Sequence, residues 1–295
     1  DGADPDTLLR HADLALYKAK ELGRNNYQYY EPSLGAGALE RMTLENALRT
    51  ALERRELYLV YQPMYRLSDR RFVGVEALLR WTNPELGDVP PAQFIPVAEE
   101  MGFIVELGAW VLREACRQLG AWRLAGCEVP RMAVNLSVHQ LEREELVTDV
   151  ADLLTEWGLH PGELEIEVTE STLLRQSGPA PEVLEGLRQL GVFLAVDDFG
   201  TGYSSLSALR QMPVNRLKID ASFVRDIGRD PNDEAIARAI IALAHSLGLE
   251  TVAEGVERRE QAVFLTDAGC DIVQGYFYGR PMRPEEVVGK IVEAN

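Results

Sequence analysis

Eight short apolar runs alternate with longer amphipathic stretches, and this alternation constrains the fold more than any other feature of the chain. Helical patterns such as 104–124 and 234–247 separate the runs. Strands in strict alternation with helices predict an α/β protein whose parallel sheet closes into a (β/α)8 barrel. A doubly wound open sheet is the alternative, disfavoured because no G-x-G-x-x-G turn follows the first run. The predicted strands are 57–66, 72–79, 132–137, 164–169, 193–198, 216–220, 250–255 and 272–277.

Residues 1–36 do not follow this alternation. The segment ADLALYKAKELGRNNYQYYEP predicts one helix, an Arg-Asn-Asn turn and a short strand, which are too few residues to bury a core of their own. Residues 37–55 predict a helix that leads into the barrel. We therefore expect two parts, namely residues 1–36 as the tail of a domain whose body lies outside this chain, and residues 37–295 as the barrel.

The composition of the chain excludes several classes of partner. A net charge of −17 argues against a surface that binds duplex DNA, which needs a basic stripe. A small phosphate ligand remains compatible if cations lie between it and the carboxylates. No apolar run approaches the roughly 20 residues that cross a bilayer, and no signal peptide is recognisable. Cys116, Cys127 and Cys270 form no CxxC pair, which favours a reducing compartment. We expect a cytoplasmic location without membrane contact by these residues.

Polar side chains occur late in nearly every predicted strand. In a (β/α)8 barrel the chemistry lies at the carboxyl ends of the strands, so these residues are the candidate site. Side-chain alternation places Glu165 and Glu167 on one face of their strand and Ile166 and Val168 on the other, with the polar face towards the barrel axis. The late polar residues are Gln62, Glu76, Asn135, Glu167, Asp197, Asp198, Lys218, Asp220, Glu254 and Gln274, with Glu170 and Glu257 directly after two of the strands.

Carboxylates that converge on one barrel mouth would repel one another strongly. Two unit charges ~4 Å apart cost about 4 kcal/mol at an effective dielectric constant of 20. Either some of these carboxyls stay protonated or cations lie between them. A set of oxygen ligands without clustered His or Cys favours Mg²⁺ or Mn²⁺ over zinc.

The adjacent Asp197 and Asp198 raise a geometric question, because neighbouring side chains of a strand point to opposite faces. If Asp197 ends the strand and Asp198 begins a turn, Gly200 and Gly202 allow both carboxylates to reach one side. Asp197 would then bridge two ions roughly 3.5–4 Å apart, and Asp198 would bind one of them.

Each of these residues also has a purely structural explanation. Asp-Asp-Phe-Gly at a strand end is a common turn with a helix cap. Lys218 could pair with Asp220, and Arg80 with Glu76. Asn135 could be a hydrogen-bonded core amide. These readings explain single residues but not their joint placement at the strand ends.

A series of motifs resembles the EAL-domain phosphodiesterases, which hydrolyse cyclic di-GMP. The resemblance covers about residues 40–290. The N-terminal ADLALYKAKELGRNNYQYY resembles the last helix and strand of a GGDEF diguanylate cyclase domain, whose catalytic loop is absent from this chain. The motifs are YQP (61–63), EALLRW (76–81), FIPVAEEMG (94–102), NLS (135–137), EVTE (167–170), DDFGTGYSSL (197–206), LKIDASFV (217–224), AEGVE (253–257) and QGYFYGRPM (274–282).

The resemblance implies a modified barrel whose first strand runs antiparallel to the others, and hydrolysis of cyclic di-GMP to linear 5′-pGpG with two Mg²⁺ or Mn²⁺ ions. It implies Lys218 as the group that holds the attacking water, Glu170 as the anchor of the 197–206 loop, and Glu257 as a further acid. Gln62, Arg80 and Gln274 would contact the substrate. The implied metal ligands are Glu76, Asn135, Glu167 and Asp197 for one ion, and Asp197, Asp198 and Glu254 for the second.

The resemblance also implies a homodimer, and a parent protein with upstream GGDEF and sensor regions that could carry a membrane anchor. Two departures from the family pattern, Asn83 and Arg258, fall outside the proposed ligands. The alternative functions are a receptor that binds cyclic di-GMP without cutting it, and a metal-dependent barrel lyase of the aldolase or enolase type.

Overall fold

The computed structural model describes residues 4–21, 26–31, 41–173, 178–201 and 212–294. The chain forms two compact units, Asp1–Leu57 with Trp81–Phe103, and Tyr58–Arg80 with Ile104–Asn295. The predicted domain boundary between residues 36 and 37 stays a prediction. Among the described helices, none has the length and apolar character needed to cross a membrane.

Eight of the nine strands in the described residues follow the predicted order, with bounds that differ from the prediction by a few residues, and β3 was not predicted. They are β1 (Leu57–Arg66), β2 (Phe72–Asn83), β3 (Gly87–Val89), β4 (Met132–Asn135), β5 (Leu164–Thr169), β6 (Phe193–Phe199), β7 (Arg216–Ile219), β8 (Glu250–Ala253) and β9 (Ile272–Gln274).

Most of the connections between strands contain helices. In the described residues, two further helices lie outside these connections, one before β1 and one after β9, and residues 41–48 are also helical. The helices in chain order are α1 (Pro5–Glu21), α2 (Pro91–Glu100), α3 (Ile104–Leu124), α4 (Val138–Leu141), α5 (Leu146–Glu156), α6 (Glu170–Leu173), α7 (Ala180–Leu190), α8 (Ala221–Arg225), α9 (Pro231–Ser246), α10 (Arg259–Asp267) and α11 (Pro284–Ala294).

The larger unit is a closed barrel with one reversed strand. Its strands follow the order β1-β9-β8-β7-β6-β5-β4-β2, and pairing of β1 with β2 closes the ring. The strands from β4 to β9 pair in parallel, and β2 is parallel to β4. In the ring, β1 runs antiparallel to its neighbour β9, with Met64 opposite Gln274. The predicted modified barrel is therefore confirmed, and the open-sheet alternative is wrong.

The polar and apolar faces of the strands are arranged as predicted. Cross-strand partners share one face of a sheet, and Glu167 lies opposite Ala195, which lies opposite Arg216. Ile166 and Val168 belong to the large apolar cluster that includes the helices. The polar residues of β5 therefore face the barrel interior, and the branched apolar residues face outwards.

The smaller unit contains a hairpin that the sequence prediction missed. β2 continues to Asn83 and turns back into β3, so the predicted end at residue 79 is too early. The buried Asn83 accepts hydrogen bonds from the amides of Glu85 and Leu86 and donates to Glu56, 2.9 Å away. Trp81 donates to the same Glu56 carboxylate over 3.0 Å. Asn83, a departure from the family pattern, thus closes this turn.

The N-terminal segment follows the prediction only in its helix. α1 contains the predicted helical residues, but the described residues 27–31 are not in a strand. A short segment becomes a strand only when it pairs with a neighbour, and within the described part of the chain it has no ladder partner. Part of the predicted Arg-Asn-Asn turn lies outside the described residues.

A buried ion pair lies at the amino ends of β5 and β7. The Arg216 guanidinium donates to Glu165 over 2.5 Å and to Glu250 over 2.8 Å. Arg216 is 2% exposed and Glu165 is 1% exposed, so neither charge can recover its hydration if its partner is removed. Glu165 was predicted only to face inwards, and this structural role was not foreseen.

We expect Glu165→Ala to lower the free energy of unfolding by about 3–5 kcal/mol, because it leaves the buried Arg216 without its main partner. Urea unfolding monitored by circular dichroism measures the loss. The control is Glu185→Ala, which removes the fully exposed ion pair with Arg188 on α7 and should barely move the unfolding midpoint. Equal shifts in the two variants would contradict the assigned role of Glu165.

The three thiols should react at different rates. Cys116 and Cys270 are buried, and burial raises their pKa values to about 12 and about 11, whereas Cys127 is partly exposed. Because the thiolate is the reactive species, a disulfide reagent at pH 8 should label Cys127 first. Denaturant should make all three thiols react. Fast native labelling that persists in Cys127→Ser would contradict the packing of the other two.

Candidate active site

The ammonium of Lys218 lies among four carboxylates inside the barrel. Its Nζ is 2.5 Å from Glu254, 2.7 Å from Glu167 and 3.1 Å from Asp197. Glu76 is farther away, at 3.8 Å. These five residues are called the Lys218 cluster below. The Lys218 side chain is 1% exposed, so these ion pairs form where water screens them weakly.

The strands bring the cluster together from distant parts of the sequence. Lys218, Glu167 and Asp197 lie on β7, β5 and β6, near their carboxyl ends. Glu76 lies on β2, and Glu254 directly follows β8. All five were predicted site residues. The suggested pairing of Lys218 with Asp220 is wrong, since Asp220 instead caps α8 through the Ser222 amide.

Burial and repulsion shape the ionisation of the cluster. Burial alone would lower the pKa of Lys218, but the surrounding carboxylates, led by Asp197 and Glu167, hold it well above its usual value. Burial raises the pKa of Glu167 well above its usual range, against the opposing effect of Lys218. Burial likewise raises the pKa of Glu254 to about 8. One ammonium therefore does not compensate four buried carboxylates.

Side-chain amides surround Glu76. Asn135 donates to one of its oxygens over 2.7 Å, and Gln274 donates to the other over 2.6 Å. The side-chain amide of Gln274 also donates to the side-chain oxygen of Gln62 over 3.1 Å. The side-chain nitrogen of Gln62 in turn donates to the Gly279 carbonyl. The structure thus joins three further predicted residues, Asn135, Gln274 and Gln62, to the cluster through Glu76.

A β-bulge answers the question raised by Asp197 and Asp198. The β6–β7 register shifts between Val196 and Phe199, and Asp198 has a φ of 54°. Such a bulge re-aims side chains, and a left-handed aspartate is tolerated there. The strand continues to Phe199, one residue beyond the predicted end at Asp198, so Asp197 does not end it. Burial, together with repulsion by Asp197 and Asp220, raises the pKa of Asp198 to about 6.

Glu170 supports the residues that follow this bulge. Its carboxylate accepts a hydrogen bond from the Gly200 amide over 2.9 Å and is 3% exposed. Gly200 has a φ of 99°, and a Cβ there would lie 2.9 Å from the Phe223 ring, so this position requires glycine. The rest of the predicted loop, residues 202–206 with Gly202, lies outside the described residues.

An open cavity of about 340 Å³ adjoins the cluster. Its walls include Gln62, Glu76, Glu254, Glu257 and Gln274, all of which were predicted site residues. Exposed Glu257 borders the cavity without entering the Lys218 cluster. The structure therefore unites most of the predicted set around one concave surface.

The cavity differs from the prediction at two residues, since Arg80 was expected there and Tyr276 was not. The structure does not bring Arg80 to the cavity wall, and its guanidinium donates to the Leu79 carbonyl over 2.8 Å. Tyr276 lines the cavity, half exposed, with the Arg280 guanidinium 4.3 Å from its ring centre. The sequence reasoning missed Tyr276, although its position two residues after Gln274 was a usable signal.

The donor set fits hard divalent cations. In the described ranges, no three His, Cys, Asp or Glu side chains are grouped closely enough to enclose a metal ion, and the Lys218 ammonium lies among the carboxylates instead. Within the described part of the chain, Glu167 and Glu254 each keep one buried carboxylate oxygen without a hydrogen-bond partner, although Lys218 lies beside that oxygen of Glu254. Unpaired oxygens, excess negative charge and oxygen-only donors are what Mg²⁺ and Mn²⁺ require.

These features define a closed α/β barrel with an acidic catalytic-type mouth at the carboxyl ends of its strands. The family model of the EAL domain matches residues 45–281. The chain belongs to the EAL-domain family, and the resemblance seen in the sequence is confirmed. Because the match begins at residue 45, the predicted GGDEF tail over residues 1–36 stays a prediction.

Several curated proteins are similar over nearly the whole chain. It is 45% identical over 291 residues to the bifunctional diguanylate cyclase/cyclic di-GMP phosphodiesterase MucR of Pseudomonas aeruginosa, covering 99% of this chain and 42% of that protein. It is 45% identical to the cyclic di-GMP phosphodiesterase NbdA of the same organism, covering 96% and 36%. The chain thus spans less than half of the length of these relatives.

Solved structures agree with the fold. The PaMucR phosphodiesterase in complex with c-di-GMP superimposes with a TM-score of 0.79 at 46% identity, covering 83% of this chain and 99% of that one. The FimX EAL domain of Pseudomonas aeruginosa bound to c-di-GMP gives a TM-score of 0.73 at 27% identity, covering 81% and 96%.

Removing the Glu170 carboxylate should loosen the start of the following loop. We expect Glu170→Ala to speed hydrogen exchange of the Gly200 amide by about tenfold, because a net hydrogen bond to a charged acceptor is worth about 1.5–3 kcal/mol. Glu170→Gln keeps an acceptor oxygen and should speed exchange less. Unchanged Gly200 exchange in Glu170→Ala would remove the anchoring role.

Proposed function

We propose that this chain hydrolyses one phosphodiester bond of cyclic di-GMP and releases linear 5′-pGpG, thereby lowering this second messenger in bacterial signalling. The observation that carries the proposal is the Lys218 cluster at the carboxyl ends of the barrel strands. The similarity to MucR and NbdA, whose names include this activity, gives the substrate.

The proposed cofactors are two divalent ions, Mg²⁺ or Mn²⁺. When bound, they would screen the phosphodiester charge and lower the pKa of a water near phosphorus. The described carboxylates provide oxygen donors in excess of what Lys218 can neutralise. We assign Glu76, Asn135, Glu167 and Asp197 to one ion, and Asp197, Asp198 and Glu254 to the other.

The chain's own residues hold and activate the water. Lys218 is fully buried with a raised pKa, so it stays an ammonium near neutral pH. As a donor of hydrogen bonds, it would hold the water oxygen in line with the bond to be broken and favour loss of a proton. The water oxygen bonds to phosphorus, the bond from phosphorus to the 3′-oxygen breaks, and the 3′-oxygen takes up a proton.

Other residues would position the substrate and the mouth of the site. Gln62 and Gln274, joined by a hydrogen bond, present amides to the cavity for the nucleotide. Arg80 would have to release the Leu79 carbonyl to reach a phosphate. Glu257 at the cavity wall would act as a further acid, and Glu170 would hold Gly200.

The proposal for the whole protein also covers its assembly, its upstream regions and its location. A homodimer, upstream GGDEF and sensor regions, and a cytoplasmic location for this part of the protein stay predictions. The absence of a duplex-DNA surface follows from the charge argument and is likewise a prediction.

The activity can be tested directly with the chain as it is. Incubation with cyclic di-GMP and Mg²⁺ or Mn²⁺ should give linear 5′-pGpG on chromatography, and EDTA should stop the reaction. Glu76→Ala should reduce kcat by about 100-fold or more, because it removes a proposed ligand that also anchors two amides. Glu142→Ala on the surface is the matched control and should retain activity.

The outcomes separate the rival functions. Tight binding of cyclic di-GMP without turnover over hours would identify a receptor rather than an enzyme. Conversion of a sugar phosphate but not of cyclic di-GMP would instead support a lyase of the aldolase or enolase type.

Asp198→Asn should lower kcat by about tenfold or more with little change in substrate affinity, because the lost charge serves an ion rather than the nucleotide. Turnover assays combined with calorimetric binding of cyclic di-GMP in Ca²⁺ measure the two quantities separately. Equal losses of rate and affinity would count against the assigned role of Asp198.

A further inference from the structure

A second cavity opens at the amino ends of the barrel strands, away from the Lys218 cluster. Its volume is about 290 Å³, and Phe72 and Ile272 contribute an apolar wall. No step of the proposed hydrolysis uses it. Its lining contains four arginines, which are Arg66, Arg71, Arg131 and Arg216.

Arg216 carries an unsatisfied donor at this cavity. Its two terminal nitrogens bond to Glu165 and Glu250, but its buried Nε has no hydrogen-bond partner among the described residues. The side chain is 3% exposed, so bulk water does not reach this N–H freely. A ligand in the cavity therefore meets the positive charge of the Arg216 guanidinium rather than this buried N–H.

The charge around this donor is positive although the chain is strongly acidic. The four arginines outnumber the three carboxylates that contact them, Glu165, Glu250 and Asp69. Arg131 lies 3.7 Å from Glu165 at its nearest nitrogen, donates to the Gly162 carbonyl over 3.2 Å and stacks over the Phe193 ring. Burial, with added repulsion by Arg216, lowers its pKa. A ligand here must therefore supply negative charge as well as acceptor oxygens.

We propose that this cavity binds a phosphate group, held by ion pairs from the exposed guanidinium groups of Arg66 and Arg71 and by the positive charge of Arg131 and Arg216 in its wall. Planar guanidinium groups match phosphate oxygens in charge and geometry. The group is either free inorganic phosphate or the phosphate of a nucleoside monophosphate, whose apolar part would lie against Phe72. This proposal does not depend on the hydrolytic activity.

Thermal unfolding of the whole chain tests the proposal. The buffer contains EDTA, and inorganic phosphate is compared with chloride at equal ionic strength. Phosphate well above its Kd should raise Tm by about 2–4 °C. Phosphate also stabilises proteins nonspecifically, so the comparison between variants decides.

The variants are chosen so that they fold. Arg66→Ala and Arg71→Ala remove exposed side chains at the cavity and should each lose at least half of the phosphate-dependent shift. Arg188→Ala on α7 is the matched control, because it also removes an exposed arginine, and it should keep the full shift.

The same titration with guanosine 5′-monophosphate separates the two ligand sources. A larger shift than that of inorganic phosphate identifies the phosphomonoester, and an equal shift identifies the free anion. Equal shifts in wild type, Arg66→Ala and Arg71→Ala would overturn the proposal. So would a phosphate-soaked crystal without density within ion-pair distance of the Arg66 and Arg71 guanidinium groups.

Discussion

The ion pairs between Lys218 and its four carboxylates constrain the positions of the barrel strands. A buried ammonium is stable only among negative groups, and those groups are stable in turn only with compensating positive charge. Three strands and the residue after β8 supply these carboxylates, and all four must lie within 3.8 Å of a single nitrogen. The barrel geometry is thereby tied to the chemistry, because a shift of one strand by one residue would turn its carboxylate away from the axis.

Alternation within β5 and β7 stacks two charged layers inside the barrel. Glu165 and Arg216 occupy the amino-terminal level, and Glu167 and Lys218 occupy the carboxyl-terminal level, two residues farther along each strand. The pair at the amino-terminal level is nearly balanced in charge and holds the strands together. The Lys218 cluster at the carboxyl-terminal level has excess negative charge. The same pattern of alternating residues therefore gives structure at one end and reactivity at the other.

The sequence was sufficient to predict the barrel, its reversed first strand through family resemblance, and the residues of the Lys218 cluster. These predictions succeeded because strand alternation and barrel topology are local, repeated signals. It was not sufficient for the bulge at Asp197 and Asp198, since a bulge depends on the register with β7. The β2–β3 hairpin was missed because Asn83 caps its turn only when buried Glu56, distant in sequence, accepts its side chain. Arg216 was overlooked because its partners lie on two other strands.

The reversed β1 has a consequence for how the chain acquires its structure. Closure of the ring joins the first strand of the barrel to the last, and the Gln62–Gln274 hydrogen bond spans 212 positions. Such distant partners meet late, since the intervening chain must first be ordered. During synthesis on the ribosome, an unclosed sheet with two bare edges would persist until the final strand emerges. A nascent chain stalled before β9 would therefore expose unpaired strand edges that favour chaperone binding, and Gln274 could reach Glu76 only after β9 has joined the sheet.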